Sequence, residues 1–156
     1  MPKLYIANGI GFSKLGRTYV LDKIVGVVKS LGFDIIEPFS DNNELSLEIS
    51  RTIESELEIA KRDMNGVRQS DGVLCVISSP IPDEGSMIEV GAAMALNKPV
   101  FYLNDDFRYK ANNTGQLPLN LMLFTHTTAD TWDRYYYTSI EDLSSPGKAL
   151  FDLINQ

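Results

Sequence analysis

Short apolar runs alternate along this chain with longer stretches in which apolar residues return every three or four positions. The run Lys3 to Ala7 is expected to be a buried strand, and it breaks into the Gly-rich turn Asn8-Gly9-Ile10-Gly11. From Thr18 to Leu31, the residues Val20, Ile24, Val27, Val28 and Leu31 keep helical spacing, and Gly32 is a natural stop. Phe33 to Ile36 is a second strand closed by Glu37-Pro38, and Ile49, Ile53, Leu57, Ala60, Met64 and Val67 mark a second amphipathic helix. Gly72 to Ile77 is nearly all apolar, as a strand covered on both faces should be, and so is expected at the centre of the sheet. A loop with Pro80, Pro82 and Gly85 leads to a short helix over Ser86 to Leu96, and Pro99 to Leu103 is a fourth strand. Asn104 to Gln116 is polar and turn-rich. Beyond it lie Leu117 to Phe124, the aromatic cluster Trp132 to Tyr137, and a closing helix from Pro146 to Ile154 with proline in its first turn.

Strands alternating with helices imply βαβ units, right-handed crossovers and a mainly parallel sheet. The expected architecture is a three-layer α/β fold of flavodoxin-like or Rossmann-like type, with residues 1–156 as one domain; no internal repeat or linker interrupts it. Ligands of such sheets bind beyond the carboxyl ends of the strands, so the loops after Asn8, Pro38, Ser78 and Asn104 are the ones to search.

Composition narrows the chemistry. With 44% hydrophobic and 22% charged residues, the chain has the make-up of a globular protein. No stretch approaches the roughly 20 apolar residues of a membrane span. The N-terminus lacks the features of a signal peptide, so a cytoplasmic location and no membrane role are expected. A net charge of −7 without any Lys/Arg cluster argues against a nucleic-acid partner, because backbone binding needs neutralised phosphates. One histidine and one cysteine cannot make an ordinary zinc site; Cys75 is expected as a buried strand thiol and His126 as a loop or surface residue. A neutral small molecule remains a suitable ligand.

The Gly9-x-Gly11 turn lacks the third glycine of a dinucleotide fingerprint and reads as a tight turn. Pro82-Asp83-Glu84-Gly85-Ser86-Met87-Ile88-Glu89-Val90-Gly91 is more informative, because it sets three carboxylates at the mouth of the central strand. Ser86-x-x-Glu89 has the spacing of a capping box, a purely structural device. A helix N-terminus also favours negative charge by about 0.3 to 1 kcal/mol, and an ionised carboxylate is what attack on a sugar carbon requires. Asp71, ahead of the central strand, has the generic reading of a turn residue.

The run Asp83 to Gly91, continuing through Ala92, Ala93 and Ala95 to Lys98-Pro99-Val100, resembles the signature of the nucleoside 2-deoxyribosyltransferase family, an Asp-x-Gly-Thr-x-x-Glu-x-Gly core followed by a Lys-Pro strand. Ser86 stands where threonine is common and keeps the hydroxyl. Tyr5, Asp71 and Asn120-Leu121-Met122 match at the right order along the chain. The resemblance implies Glu89 as nucleophile, Tyr5 as the hydroxyl that positions it, and Asp71 and Asp83 as carboxyl groups facing the base, with Gly85 and Ser86 also at the substrate. It implies that Asn120 and Met122 reach a neighbouring subunit's site in a homo-oligomer, a hexamer built from dimers. Deoxynucleoside and free nucleobase would be the substrates, and neither metal nor organic cofactor would be needed. Asp83 is then the first choice for proton donor and Asp71 the second. A purely structural protein would give no reason for three acidic groups at strand ends, and two other functional readings stay open. One is a deoxynucleoside-monophosphate N-glycosidase, for which only Ser13, Lys14 and Arg17 are near the Gly-rich turn to hold phosphate; the other is a non-catalytic nucleotide sensor.

Overall fold

The computed structural model describes residues 1–40, 52–77, 81–106 and 116–155. Its strands are β1 (Lys3–Asn8), β2 (Asp34–Ile36), β3 (Gly72–Val76), β4 (Val100–Leu103) and β5 (Tyr136–Tyr137). They form one all-parallel sheet in the order β2-β1-β3-β4-β5. Its helices are α1 (Asp22–Ser30), α2 (Ile53–Gln69), α3 (Glu84–Ala95) and α4 (Ala149–Ile154). This is the expected three-layer α/β fold.

The two-residue period of the strands divides the core. Leu4, Ile6, Leu74 and Phe101 face one way and pack on Ile24 and Val28 of α1 and Leu150 of α4. Tyr5, Ala7, Val73, Cys75 and Tyr102 face the other way, towards Val67 of α2 and Val90 and Ala93 of α3. Cys75 is fully buried, as its apolar run implies, and burial raises its thiol pKa.

Several boundaries differ from the sequence reading for identifiable reasons. The first helical segment starts before Thr18 and runs through a wide π-helical turn, Gly16–Leu21. The wider turn rotates the apolar face, so Leu21, not Val20, joins Ile24 and Val28 in the core. Gly32 does end this segment, at φ +100°, where any side chain would be strained. The closing helix begins at Ala149 with Lys148 as its cap residue, so Pro146 lies ahead of it. The aromatic cluster supplies a 3-10 turn, Trp132–Tyr135, and then β5. His126 lies in a turn, within the expected loop reading, and is half-buried: Nε2 lies 3.1 Å from the Val100 carbonyl, its ring meets Tyr135 edge-on, and burial lowers its pKa. Ile49 and most of the turn-rich stretch 104–116 lie outside the described residues. No helix among the described residues is long and apolar enough to cross a membrane.

Candidate active site

β1 and β3 are neighbours, but the chain leaves them towards opposite edges of the sheet, so a crevice opens where they end. The turn after β1 shapes one side of it. Asn8 Oδ1 accepts from the Gly11 amide at 2.9 Å, and a Cβ on Gly11 would lie 2.0 Å from the Phe39 ring. The glycines here serve close packing: a Cβ on Gly9 would come within 2.9 Å of the Asp83 Cβ.

On the other side α3 begins. Asp83 is its N-cap, and Asp83 Oδ2 accepts from the Ser86 amide at 2.8 Å and from the Ser86 hydroxyl at 2.9 Å. The expected capping box between Ser86 and Glu89 is therefore not what closes this helix. A carboxylate three residues ahead of an orphan amide is a good cap, worth about 1 kcal/mol, and it takes the position that Ser86 would need. Glu89 then falls in the second turn, beyond the reach of the helix-end dipole, so the electrostatic argument for its ionisation loses force.

Tyr5 supplies the partner instead. Its hydroxyl donates to Glu89 Oε1 at 2.6 Å across 84 residues of sequence. The ring reaches that point because residue 66 of α2 is glycine; a Cβ there would lie 2.9 Å from the Tyr5 Cε2. Burial, then the negative charge of Glu89, then the hydrogen bond itself push the Tyr5 hydroxyl far above an ordinary phenol. Tyr5 thus keeps its proton and acts as a fixed donor to Glu89.

The cavity that Glu89 lines has a volume of about 300 Å³, and Glu56, Asp63, Asp83, Phe12 and Phe39 line it too. That is enough room for a small ligand. Gly85 and Ser86 line it as well, although the Ser86 hydroxyl is already committed to Asp83. The two rings meet edge-on, with centroids 5.0 Å apart. Among the described residues no group of three His, Cys, Asp or Glu side chains could hold a metal ion.

The family model for nucleoside 2-deoxyribosyltransferases matches residues 4–122. The chain belongs to this family. It is accordingly a pentosyltransferase, and the match spans Tyr5, Asp63, Asp83, Glu89, Asn120 and Met122. Among solved structures, a 2-deoxyribosyltransferase from the psychrotolerant bacterium Bacillus psychrosaccharolyticus superposes with a TM-score of 0.67 at 23% identity, over 92% of this chain and 90% of that one. A 2-deoxyribosyltransferase from Leishmania mexicana gives 0.63 at 23% identity, over 90% of this chain and 93% of that one. A conserved protein from Enterococcus faecalis V583 gives 0.69 at 22%, over 100% and 98%. At these identities the likeness is one of fold. No curated protein matches the sequence.

Against the deoxyribosyltransferase signature, one assignment needs correcting. Asp71 lies ahead of β3, at the opposite end of the sheet from Glu89, where its Oδ2 accepts from the Lys3 amide at 2.7 Å. In a parallel sheet the start and end of a five-residue strand are separated by roughly 16 Å, so a residue before β3 does not share a pocket with one beyond it. Asp71 lines instead a larger groove of about 1120 Å³ with Lys98 and His126, remote from Glu89.

A carboxylate that does reach the cavity is Asp63 of α2, which the sequence analysis did not single out. Burial raises its pKa, and Arg62, with Nη2 3.5 Å from Oδ1, pulls it down. One sequence signal pointed to it: Asp63 stands one turn before Gly66, the glycine that admits Tyr5. Asn120 and Met122 are outside this cavity. Asn120 caps a 3-10 turn through its Oδ1, and Leu121 and Met122 are 68% and 64% exposed.

Proposed function

We propose that this deoxyribosyltransferase moves 2-deoxyribose from one nucleobase to another by a retaining double displacement through an ester on Glu89, acting as a single domain. The observation that carries the reading is the 2.6 Å hydrogen bond from buried Tyr5 to Glu89, which lines a cavity together with three other acidic residues. With Oε1 held by a donor that does not give up its proton, the glutamate is fixed in direction while its other oxygen attacks the anomeric carbon. The C–O bond forms as the bond to the base breaks, and the electron pair leaves with the base. A proton must meet that base nitrogen. Asp63 is the better donor, because its raised pKa favours the protonated form, whereas Asp83 Oδ2 is occupied by two hydrogen bonds from Ser86. Asp83 is assigned to hold the base from its other oxygen. A second base then attacks from the vacated face, returns its proton to Asp63, and releases Glu89 with configuration retained.

Incubating the protein with deoxyadenosine and a second free base should produce the exchanged nucleoside. Release of free deoxyribose in place of exchange would indicate a hydrolase, and binding without turnover would indicate a sensor. The monophosphate hydrolase is the weaker reading, since the described residues lining the cavity include four carboxylates and no Lys, Arg or His to meet a phosphate.

The reading includes a homo-oligomer, a hexamer built from dimers, in which Asn120 and Met122 complete a neighbour's site. Their exposure and their distance from their own chain's cavity support it. Mixing inactive Glu89→Ala subunits with inactive Asn120→Ala subunits, under conditions of verified exchange, should restore part of the activity. Mixtures that remain inactive would mean that each site is built from one chain.

A further inference from the structure

Glu37 closes β2 and has no role in the mechanism above, yet it is a carboxylate only 6% exposed. Burying a carboxylate costs stability unless its oxygens are satisfied, and an aliphatic residue would end the strand at lower cost. Here three donors satisfy it: Asn8 Nδ2 at 3.2 Å and the Phe39 amide at 3.1 Å on Oε1, and the Ser40 hydroxyl at 2.8 Å on Oε2. Asn8 is equally committed. Its Oδ1 accepts from Gly11, and its Nδ2 also donates to the Ile6 carbonyl at 3.2 Å. Both Nδ2 bonds and one at Oδ1 are thus spent inside the protein, and Asn8 borders the cavity as part of its frame.

This network ties the loop after β2 to the turn after β1. The loop carries Phe39 and the turn carries Phe12, the two rings that meet edge-on at the cavity; the same turn backs through Gly9 against Asp83. We propose that Glu37 is a positioning residue for the nucleobase: acting through Asn8 and Phe39, it sets the gap between the Phe12–Phe39 wall and Asp83, and so decides which size of base the site accepts. The proposal rests on the deoxyribosyl-transfer reading for its ligand. It needs only that the cavity hold a base.

The test is the ratio of adenine to cytosine affinity, measured by equilibrium binding and as acceptor KM. Glu37→Ala is expected to change this ratio by about fivefold or more while kcat at saturating base stays within about threefold, since Glu37 makes no hydrogen bond to a reacting group and its charge is the last of the influences on Asp63 and Tyr5. Glu37→Gln should restore the ratio, because its carbonyl oxygen still accepts from Asn8 and Phe39 and its amide donates to Ser40. If Glu37→Ala does not fold, the exposed Ser40→Ala is read instead, with a shift of about twofold in the same direction. An unchanged ratio in the variant read overturns the proposal. So does a fall of kcat and both affinities together in step with the folded fraction, which would make Glu37 structural only. A shifted ratio in an enzyme without base exchange would leave Glu37 in place and remove the transfer reading; exchange with an unshifted ratio would do the reverse.

Discussion

Glu89→Gln should abolish base exchange, with a fall of about 10⁴-fold or more, because the attacking oxygen is replaced by an amide that cannot form the ester. The fold should not change. Asp83, not Glu89, caps α3, and the glutamine carbonyl still offers the buried Tyr5 hydroxyl an acceptor. Glu89→Ala should be equally inactive but less stable by about 1 to 3 kcal/mol, since it leaves that buried hydroxyl without its acceptor. Two measurements decide the assignment. Mass spectrometry of denatured wild-type enzyme after incubation with deoxynucleoside alone should show one added deoxyribosyl group, absent from Glu89→Gln. Substantial turnover by either variant, with the unfolding curves superimposed for Glu89→Gln, would sink the covalent role.

Asp63→Asn should slow transfer from ordinary bases by about 10²- to 10⁴-fold and from an activated, weakly basic leaving group far less, the pattern of lost general-acid assistance. The wild-type rate should fall as pH rises through the raised pKa of Asp63, and that limb should vanish in the variant. The same pKa fixes the sign of a stability effect. A carboxyl whose folded pKa is raised by burial is fully tolerated below its unfolded value, and stability is lost as pH rises through the folded value. Asp63→Asn should therefore melt higher than wild type at neutral pH, with the gap closing below about pH 4. A variant more active and less stable than wild type would remove Asp63 from the site. Equal losses for both leaving groups would leave it as a base-binding residue, and the same comparison on Asp83→Asn then tests the other carboxyl.

Apolar patterning along the chain is enough to give the layers of this protein and the helix that carries its signature. Runs such as Val73 to Val76 are apolar at every position because both faces of a central parallel strand are covered, and Ile24 and Val28 repeat with the helix because one face is. Such patterns are local, so they can be read without knowing what the segments pack against. The signature from Asp83 to Gly91 is local too, and it led to the family that the match over residues 4–122 establishes. Which side chains share the cavity depends on how distant segments pack. Tyr5 and Glu89 meet across 84 residues because β1 lies beside β3 and Gly66 leaves space for the ring. Asp63 looks like any solvated acid of an amphipathic helix until α2 is laid over the end of the sheet. Asp71, the second choice for proton donor from its match in order along the chain, lies at the opposite end, because the strand must run its full length first. Glu37, too, reads as a polar strand end and proves to be a buried tie between two loops. Spacing along a chain fixes direction and burial over a few residues; convergence depends on strand order and crossover hand, which are settled only when the hydrophobic faces of distant segments close on one another.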